Sequence, residues 1–230
     1  MNETSKKIRI KFAKTGLMIF LGHLDLMRCF QKIIRRAGIP VAYSKGYSPH
    51  QIMSFAQPLG VGCESEGEYM DLEMEELLDL EIIQNKMQRE CPAGLEIKEI
   101  ALLSVPLANA MAEVERASYI LDIPALTKEE KLRGIRNFEL SDSYPVTKKT
   151  KKGTREMDLK KFVFELRLEQ EGPIFTVLKS GSTDNIKPEL LLQSIFKETF
   201  EAAGDVGFLC GVDYLVKRLD LFGSDGKALI

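Results

Sequence analysis

The feature that most constrains the fold is the order in which strand-like and helix-like hydrophobic patterns follow one another. In the N-terminal half, apolar residues alternate with polar ones in residues 7–12 and 68–74, and they recur at helical spacing in residues 25–37 and 75–91. Short apolar segments at residues 51–55 and 95–102 complete the order strand, helix, strand, strand, helix, strand. This order is typical of a ferredoxin-like unit, which packs two helices on one face of an antiparallel sheet.

The same order of patterns returns in the C-terminal half. It comprises a strand at Arg116–Ile123, a helix at Thr127–Phe138, a strand pair at Phe162–Leu168 and Ile174–Lys179, a helix at Lys187–Ala203 and a strand at Asp213–Leu221. Residues 144–161 add a basic strand-turn-strand protrusion. We therefore predict an α+β protein of two tandem ferredoxin-like (βαββαβ) units with antiparallel sheets, covering residues 1–104 and 115–230. The boundary is expected near Val105 to Val114, where Pro106 and small residues interrupt the pattern.

The charge of the chain is distributed unevenly. The formal net charge is −2, but residues 1–50 hold ten cations against two acids, whereas residues 51–100 hold three cations against twelve acids. Such asymmetry predicts a surface with one side that attracts anions. The alternative is that the two segments neutralise each other within the molecule.

Several classes of chemistry lack their motifs. The cysteines Cys29, Cys63, Cys91 and Cys210 are widely separated, and two histidines cannot complete a three-ligand site, so we expect reduced thiols, no metal and no cofactor. The chain has no GxxxxGK(S/T), GxGxxG or GxSxG motif. It also has no signal-peptide pattern and no apolar run of membrane-spanning length, so we expect a cytoplasmic protein without a membrane partner.

The segment from Phe20 to Ser54 holds both histidines and the best candidates for binding. The predicted helix carries four cations on the side opposite its apolar residues, and we call these the basic stripe: Arg28, Lys32, Arg35 and Arg36. Gly38 and Pro40 end the helix. The turn-rich residues 43–50 follow, and this aromatic loop offers Tyr43, Ser44, Lys45, Tyr47 and His50.

A second basic cluster lies in the predicted protrusion, which we call the basic hairpin. Its candidate residues are Lys148, Lys149, Lys151, Lys152 and Arg155. Cations that reach phosphates, together with tyrosines that stack on bases, are what single-stranded RNA binding requires. We therefore predict that the basic stripe, the aromatic loop and the basic hairpin bind RNA. By contrast, Lys7, Arg9 and Lys11 on the first strand would face Asp71 and Glu73, so we expect solvated cross-strand pairs there.

Two other functions stay open on the residues alone. No catalytic residue is assigned, but a metal-independent endoribonuclease could use His23 or His50 as its base. A binding module could instead hold a small ligand at the aromatic loop. The glycines Gly204, Gly207 and Gly211 before the last strand could let the backbone approach phosphates, although such glycines are more often simple turn residues.

Phe20 to Asp71 resembles the radical SAM-linked protein family of unknown function. The likeness rests on His23-Leu24-Asp25, Arg35-Arg36, Ala42-Tyr43-Ser44, Gly46, Pro49-His50, Ser54-Phe55, Pro58-Leu59 and Glu68-Tyr69, and it extends to Thr150-Lys151-Lys152-Gly153 with Glu156 and Asp158. Gly22 stands where a serine is usual in the family, and Tyr47-Ser48 stands where Phe-Asn is usual. The resemblance implies an accessory role beside a radical SAM protein. The chain has no CxxxCxxC motif and so does not itself hold the cluster of such an enzyme.

The predicted architecture is also similar to that of RAMP-type CRISPR RNA-processing endoribonucleases. Those proteins have tandem ferredoxin-like units and a glycine-bearing loop before the last strand. In them a histidine can act as general base on a ribose 2′-OH, a role that would fall here to His23 or His50. This similarity is one of architecture alone.

Overall fold

The structure is a computed structural model that describes residues 6–103, 109–150, 153–182, 184–202 and 209–230. The strands are β1 (Lys7–Lys14), β2 (Met53–Phe55), β3 (Glu64–Glu73), β4 (Leu95–Leu102), β5 (Arg116–Asp122), β6 (Pro145–Thr150), β7 (Gly153–Asp158), β8 (Val163–Leu168), β9 (Ile174–Lys179) and β10 (Leu215–Phe222). The helices are α1 (His23–Arg36), α2 (Leu80–Glu90), α3 (Ala110–Glu113), α4 (Lys128–Leu140), α5 (Pro188–Ile195) and α6 (Lys197–Ala202). Within the described residues, no helix is long and apolar enough to span a bilayer.

The predicted α+β class is confirmed, but the sheets are not separate. Eight strands form one sheet whose main path runs β4-β1-β3-β10-β5-β9-β8, with β2 also paired to β3. The strands β6 and β7 form a two-stranded sheet of their own, as expected for the basic hairpin. Each half contributes four strands to the large sheet, and in both halves the fourth strand along the chain lies beside the first, followed by the third and the second. The spatial order is β4-β1-β3-β2 in the N-terminal half and β10-β5-β9-β8 in the C-terminal half.

The two halves join because β2 is too short to cover its neighbour. β2 pairs only with the C-terminal part of β3, where Met53 lies opposite Leu72. The N-terminal part of the same edge is taken by β10, which pairs in parallel with Lys217 opposite Glu64 and Arg218 opposite Ser65. An unpaired strand edge attracts another strand, so the short β2 explains why one sheet forms instead of two.

Other element boundaries differ from the predictions in smaller ways. Between α1 and β2, residues 41–43 form only isolated bridges, from Val41 to Met74 and from Tyr43 to Gln51. The helix predicted at residues 187–203 is divided at Phe196, whose backbone is not helical. The short helix α3 lies in the expected boundary segment. Residues 104–108 fall outside the described residues, so the division into two domains stays a prediction.

The helices of both halves pack on the same face of the large sheet. In the N-terminal half, Ile10 of β1 packs with Phe30 of α1, and in the C-terminal half Tyr119 of β5 packs with Leu191 of α5. Arg218 of β10 lies directly opposite Tyr119 in the register and shares its face. The Arg218 side chain binds Glu68 of β3. Glu68 is two positions from Met70 on the same strand, so it lies on the same face of the sheet as this residue of the N-terminal core. The continuous sheet therefore has one continuous helical layer.

The opposite face of β1 carries the pairing that the sequence predicts, in a buried form. Arg9 lies opposite Asp71, and its Nε is 2.7 Å from the Asp71 carboxylate. We expected solvated pairs, but Arg9 is 1% exposed, because Glu113 of α3 binds its guanidinium at 2.6 Å. Lys11 differs from the prediction as well, since it binds Asp220 of β10 at 2.6 Å.

A buried ion pair holds the junction between β3 and β10. The Arg218 guanidinium donates to both Glu68 carboxylate oxygens at 2.8 and 3.0 Å, and it also donates to the Gln57 carbonyl at 2.9 Å. Both charged side chains are nearly inaccessible to solvent. Next to them, a Cβ on Gly67 would lie 2.5 Å from the Leu219 carbonyl oxygen, so β10 approaches β3 this closely only because residue 67 is glycine.

The variant Glu68→Gln tests how strongly the junction depends on this ion pair. Loss of the carboxylate charge leaves the Arg218 guanidinium buried without its counter-ion, and we expect roughly 3–5 kcal/mol lower free energy of unfolding. Urea denaturation followed by circular dichroism measures the change.

Glu66→Gln is the matched control, because Glu66 lies on the same strand and pairs with Lys217 at 2.8 Å near the surface. A surface pair of this kind contributes about 1 kcal/mol or less. If the two variants lose equal stability, the junction does not depend on the buried charge pair.

Candidate functional site

The aromatic loop is a closed structure whose two ends are tied together. The Ser44 backbone N–H donates to the His50 carbonyl at 2.8 Å, and the His50 backbone N–H donates to the Ser44 hydroxyl at 3.1 Å. The same hydroxyl lies 2.9 Å from Nδ1 of the His50 ring. Gly46 has a φ of 143°, which allows the chain to turn within the loop. These contacts hold the loop so that Tyr47 is fully exposed and Tyr43 is half exposed.

The base of the aromatic loop lies against the middle of α1. The Gln51 side-chain amide is 3.5 Å from the Gln31 carbonyl oxygen of α1 and 3.5 Å from the Tyr43 hydroxyl. Residues three and four apart are neighbours on a helix surface, so Arg28 and Arg35 flank Gln31. The structure thus anchors the base of the aromatic loop to the helix that carries the basic stripe.

The cations of the basic stripe are not equivalent. Arg28 pairs with Asp25 at 3.2 Å on the surface, while Arg36 pairs with Glu90 of α2 at 2.9 Å. Lys32 and Arg35 are exposed, and neither makes an ion pair with any residue that the structure describes. Arg36 is thus paired with an acid that is distant in the sequence, because the end of α2 brings Glu90 next to the end of α1.

The basic hairpin is anchored in the other half of the molecule. Lys148 donates to the Asn185 carbonyl at 2.7 Å, and Arg155 lies 3.6 Å from the Asp184 carboxylate, just before α5. The structure does not describe the Lys149 side chain, and Lys151 and Lys152 lie outside the described residues. Among the residues that the structure describes, no contact joins the basic hairpin to the basic stripe.

The two histidines have different surroundings. The His23 ring packs edge-on against the Phe55 ring, with 5.2 Å between centroids, at the first position of α1. It therefore belongs to the packing of the N-terminal half. His50 is exposed, and its Nδ1 is engaged with Ser44. Of the three glycines suggested for phosphate approach, Gly204 and Gly207 lie outside the described residues.

Gly211 and Gly62 allow two chain segments to cross in close contact between the halves. Gly62 has a φ of 84°, and a Cβ there would lie 2.1 Å from the Cys210 carbonyl oxygen. Gly211 has a φ of 83°, and its Cβ would lie 2.8 Å from the Gly62 carbonyl oxygen. The residues next to these glycines are Cys63 and Cys210, so the crossing places their thiols side by side.

The thiols of Cys63 and Cys210 form a cluster with Glu189 that the sequence did not reveal. Their Sγ atoms are 3.4 Å apart, although the residues are 147 positions apart in the chain. A carboxylate oxygen of Glu189, in the first turn of α5, lies within 4.8 Å of both sulfur atoms. The hydrogen bond between the thiols raises the pKa of Cys63, which burial raises further, and it lowers the pKa of Cys210.

A small cavity and a buried lysine adjoin this cluster. The cavity has a volume of about 70 Å³ and is lined by Gly60, Cys63, Glu189 and Arg218 among others. Lys14 of β1 is 1% exposed, and its ammonium donates to the Leu21 carbonyl at 3.0 Å. Burial lowers the pKa of Lys14, and interactions with Glu68 and with the two thiols oppose that shift.

Comparison with known proteins identifies a family for this chain. A family model described as an uncharacterized protein conserved in bacteria (DUF2344) matches residues 7–188. Curated proteins give no match. A chain in a crystal structure of a Cbf5–Nop10–Gar1 complex is 10% identical at a TM-score of 0.46, over 95% of this chain and 50% of that chain. A heavy metal efflux pump is 7% identical at a TM-score of 0.25, over 94% of this chain and 28% of that chain. This chain therefore spans half or less of either solved chain.

The glycine crossing gives a sharp test of how the halves meet. Gly62→Ala places a methyl group against backbone atoms and forces a left-handed conformation on alanine, so we expect a loss of more than about 2 kcal/mol in unfolding free energy. Gly60→Ala is the matched control, because its Cβ would meet only the Cys63 Sγ at 3.5 Å and a Glu189 oxygen at 3.7 Å. Thermal and urea denaturation measure both variants, and equal stabilities would contradict the crossing.

Proposed function

Because the chain belongs to the DUF2344 family of uncharacterized proteins conserved in bacteria, we propose a function from its own geometry. It is a non-catalytic accessory protein that binds single-stranded RNA through the aromatic loop and through two cations of the basic stripe, Lys32 and Arg35. It acts beside a radical SAM protein, the partner class that the resemblance described above implies. Each half is a ferredoxin-like unit of a tandem pair, which supplies the rigid scaffold for both contacts.

The observation that carries the RNA proposal is a fully exposed tyrosine, Tyr47, on a loop whose base is anchored to the helix that holds Lys32 and Arg35. A fully exposed tyrosine on a loop with fixed ends offers its ring for stacking with little ordering cost. Lys32 and Arg35 lie on the helix against which this loop is anchored, and both are free to contact phosphates. Stacking and phosphate contacts at adjacent places are the combination that single-stranded RNA binding uses.

The basic hairpin provides a second and separate contact in this proposal. The Lys148 ammonium already donates one hydrogen bond to the Asn185 carbonyl. Its charge and its remaining N–H groups are available for a phosphate. The Arg155 side chain is mostly exposed, and its distance of 3.6 Å from Asp184 is that of a loose pair. The hairpin would therefore add affinity for longer RNA but not determine binding at the aromatic loop.

A surface for the protein partner lies where the two halves cross. The Gly62 N–H donates to the Ile19 carbonyl at 2.9 Å, which brings residues 16–20 next to the glycine crossing. Five large apolar side chains in these segments are more than half exposed: Leu17, Phe20, Val61, Leu209 and Val212. We call them the apolar patch. Clustered exposed apolar residues mark interaction surfaces more often than scattered ones do.

The structure offers little support for the endoribonuclease alternative. His23 packs edge-on against Phe55, and His50 lies on an exposed loop with only its Nε2 left for a substrate, whereas a general base needs a nitrogen positioned at the substrate hydroxyl. The proposal therefore assigns catalysis to neither histidine. RNA should remain intact when it is incubated with the purified protein in the absence of metal.

RNA binding is tested by the salt dependence of affinity for a fluorescent single-stranded oligonucleotide. Each phosphate contact contributes a slope of about −0.7 to the logarithmic plot. The double variant Lys32→Ala/Arg35→Ala should therefore make the slope less negative by about 1.4. Tyr47→Ala should weaken binding by about 1–3 kcal/mol with an unchanged slope, since stacking releases few counterions.

Arg36→Ala is the matched control, because it removes one cation from the same helix that is already paired with Glu90. It should bind nearly as the parent protein does. Affinity that does not depend on salt, or a double variant that binds like the parent, would refute the proposal. Specific cleavage of RNA that His23→Ala or His50→Ala abolishes would establish the endoribonuclease alternative instead.

The partner proposal is tested by co-purification with a radical SAM protein encoded beside this chain. Val61→Asp/Val212→Asp should abolish a stable complex, because carboxylates in the apolar patch would be buried without counter-ions. Leu140→Asp is the matched control, since Leu140 is 84% exposed but lies at the end of α4, outside the patch. If the parent protein, the double variant and the Leu140→Asp control all form the complex, the apolar patch is not the docking surface.

A further inference from the structure

We propose that Cys63, Cys210 and Glu189 form a binding site for one divalent transition-metal ion, of which Zn²⁺ fits best. The site would join the two halves of the molecule, because Cys63 precedes β3 whereas Glu189 and Cys210 belong to the C-terminal half. This inference is independent of the RNA and partner proposals. It also revises the expectation from sequence spacing that the chain holds no metal.

The distances are close to those of a tetrahedral site. Zn–S bonds of about 2.3 Å at tetrahedral angles place two sulfur atoms about 3.8 Å apart. The Sγ atoms of Cys63 and Cys210 are 3.4 Å apart, and a Glu189 oxygen lies within 4.8 Å of both. A side-chain movement on the order of 1 Å by Glu189 would complete three ligands.

The ligand types select the class of ion. Two thiolates disfavour Mg²⁺ and Ca²⁺, which take oxygen ligands. A carboxylate would contribute little to Cu⁺, which is satisfied by soft sulfur ligands. A mixed set of sulfur and oxygen ligands suits Zn²⁺, which accepts Cys, His, Asp and Glu in a tetrahedral arrangement.

A fourth ligand position would open into the adjoining cavity. Its volume of about 70 Å³ exceeds the share of about 30 Å³ that a water molecule takes in the liquid. The Gly60 residue in the wall has no side chain to fill this space. Three protein ligands and one exchangeable position are the arrangement of zinc sites that bind water or a small ligand.

The test uses the full chain, stripped of metal with a chelator and kept reduced with a phosphine. Titration with Zn²⁺ should show one tight site and should raise the melting temperature, because the ion stabilises only the folded chain. Titration with Co²⁺ should give a thiolate-to-cobalt charge-transfer band together with the intense visible bands of tetrahedral coordination. Cys210→Ser and Glu189→Gln should each weaken Zn²⁺ binding by more than roughly 10–100-fold. That smaller loss is typical when a residue that only hydrogen-bonds to a metal ligand is replaced.

The double variant Cys29→Ser/Cys91→Ser is the control, since it removes two thiols outside the cluster and should bind Zn²⁺ as the parent does. Cys63 is buried, so Cys63→Ser is used only if circular dichroism shows a native fold. The proposal is overturned if the reduced protein binds no Zn²⁺, or if the control variant is the one that loses binding. Full affinity in Glu189→Gln would also overturn it, because the site would then lack its third ligand.

Discussion

The fold depends on the parallel contact between β3 and β10, where the Arg218 guanidinium is buried against the Glu68 carboxylate. Burying two charges is costly, and it is tolerated here because Gln57 and Tyr119 supply further hydrogen-bond partners to the guanidinium. The pair requires β10 to lie at one position along β3. It therefore fixes the relation of the two halves more specifically than apolar contact alone could.

Each feature near the junction follows from this fixed position. The glycine crossing at Gly62 and Gly211 brings Cys63 beside Cys210, and α5 adds Glu189 from the helical layer above. The apolar patch surrounds the same crossing on the outside. The aromatic loop and the basic stripe lie elsewhere, entirely within the N-terminal half, so the proposed RNA contact and the junction can be altered independently by substitution.

The sequence predicted local elements well and long-range contacts poorly. The strands β4 and β9 have the predicted ends, because their alternation is regular and turn residues bound them. The pairing of Arg9 with Asp71 followed from strand order alone. The joined sheet was missed because nothing local shows that β2 covers only part of β3. The Arg36–Glu90 pair and the thiol–carboxylate cluster were missed for the same reason, since their members are distant in the chain.

The joining of the two halves also has a consequence for aggregation. Two independent four-stranded sheets would each expose two edge strands, whereas here β10 pairs with the N-terminal end of β3 and is itself covered by β5. The remaining outer strands, β4 and β8, carry charged residues such as Lys98 and Arg167, which discourage pairing with another molecule. A chain that failed to dock its halves would expose two further strand edges, and it would be prone to self-association before it lost its local structure.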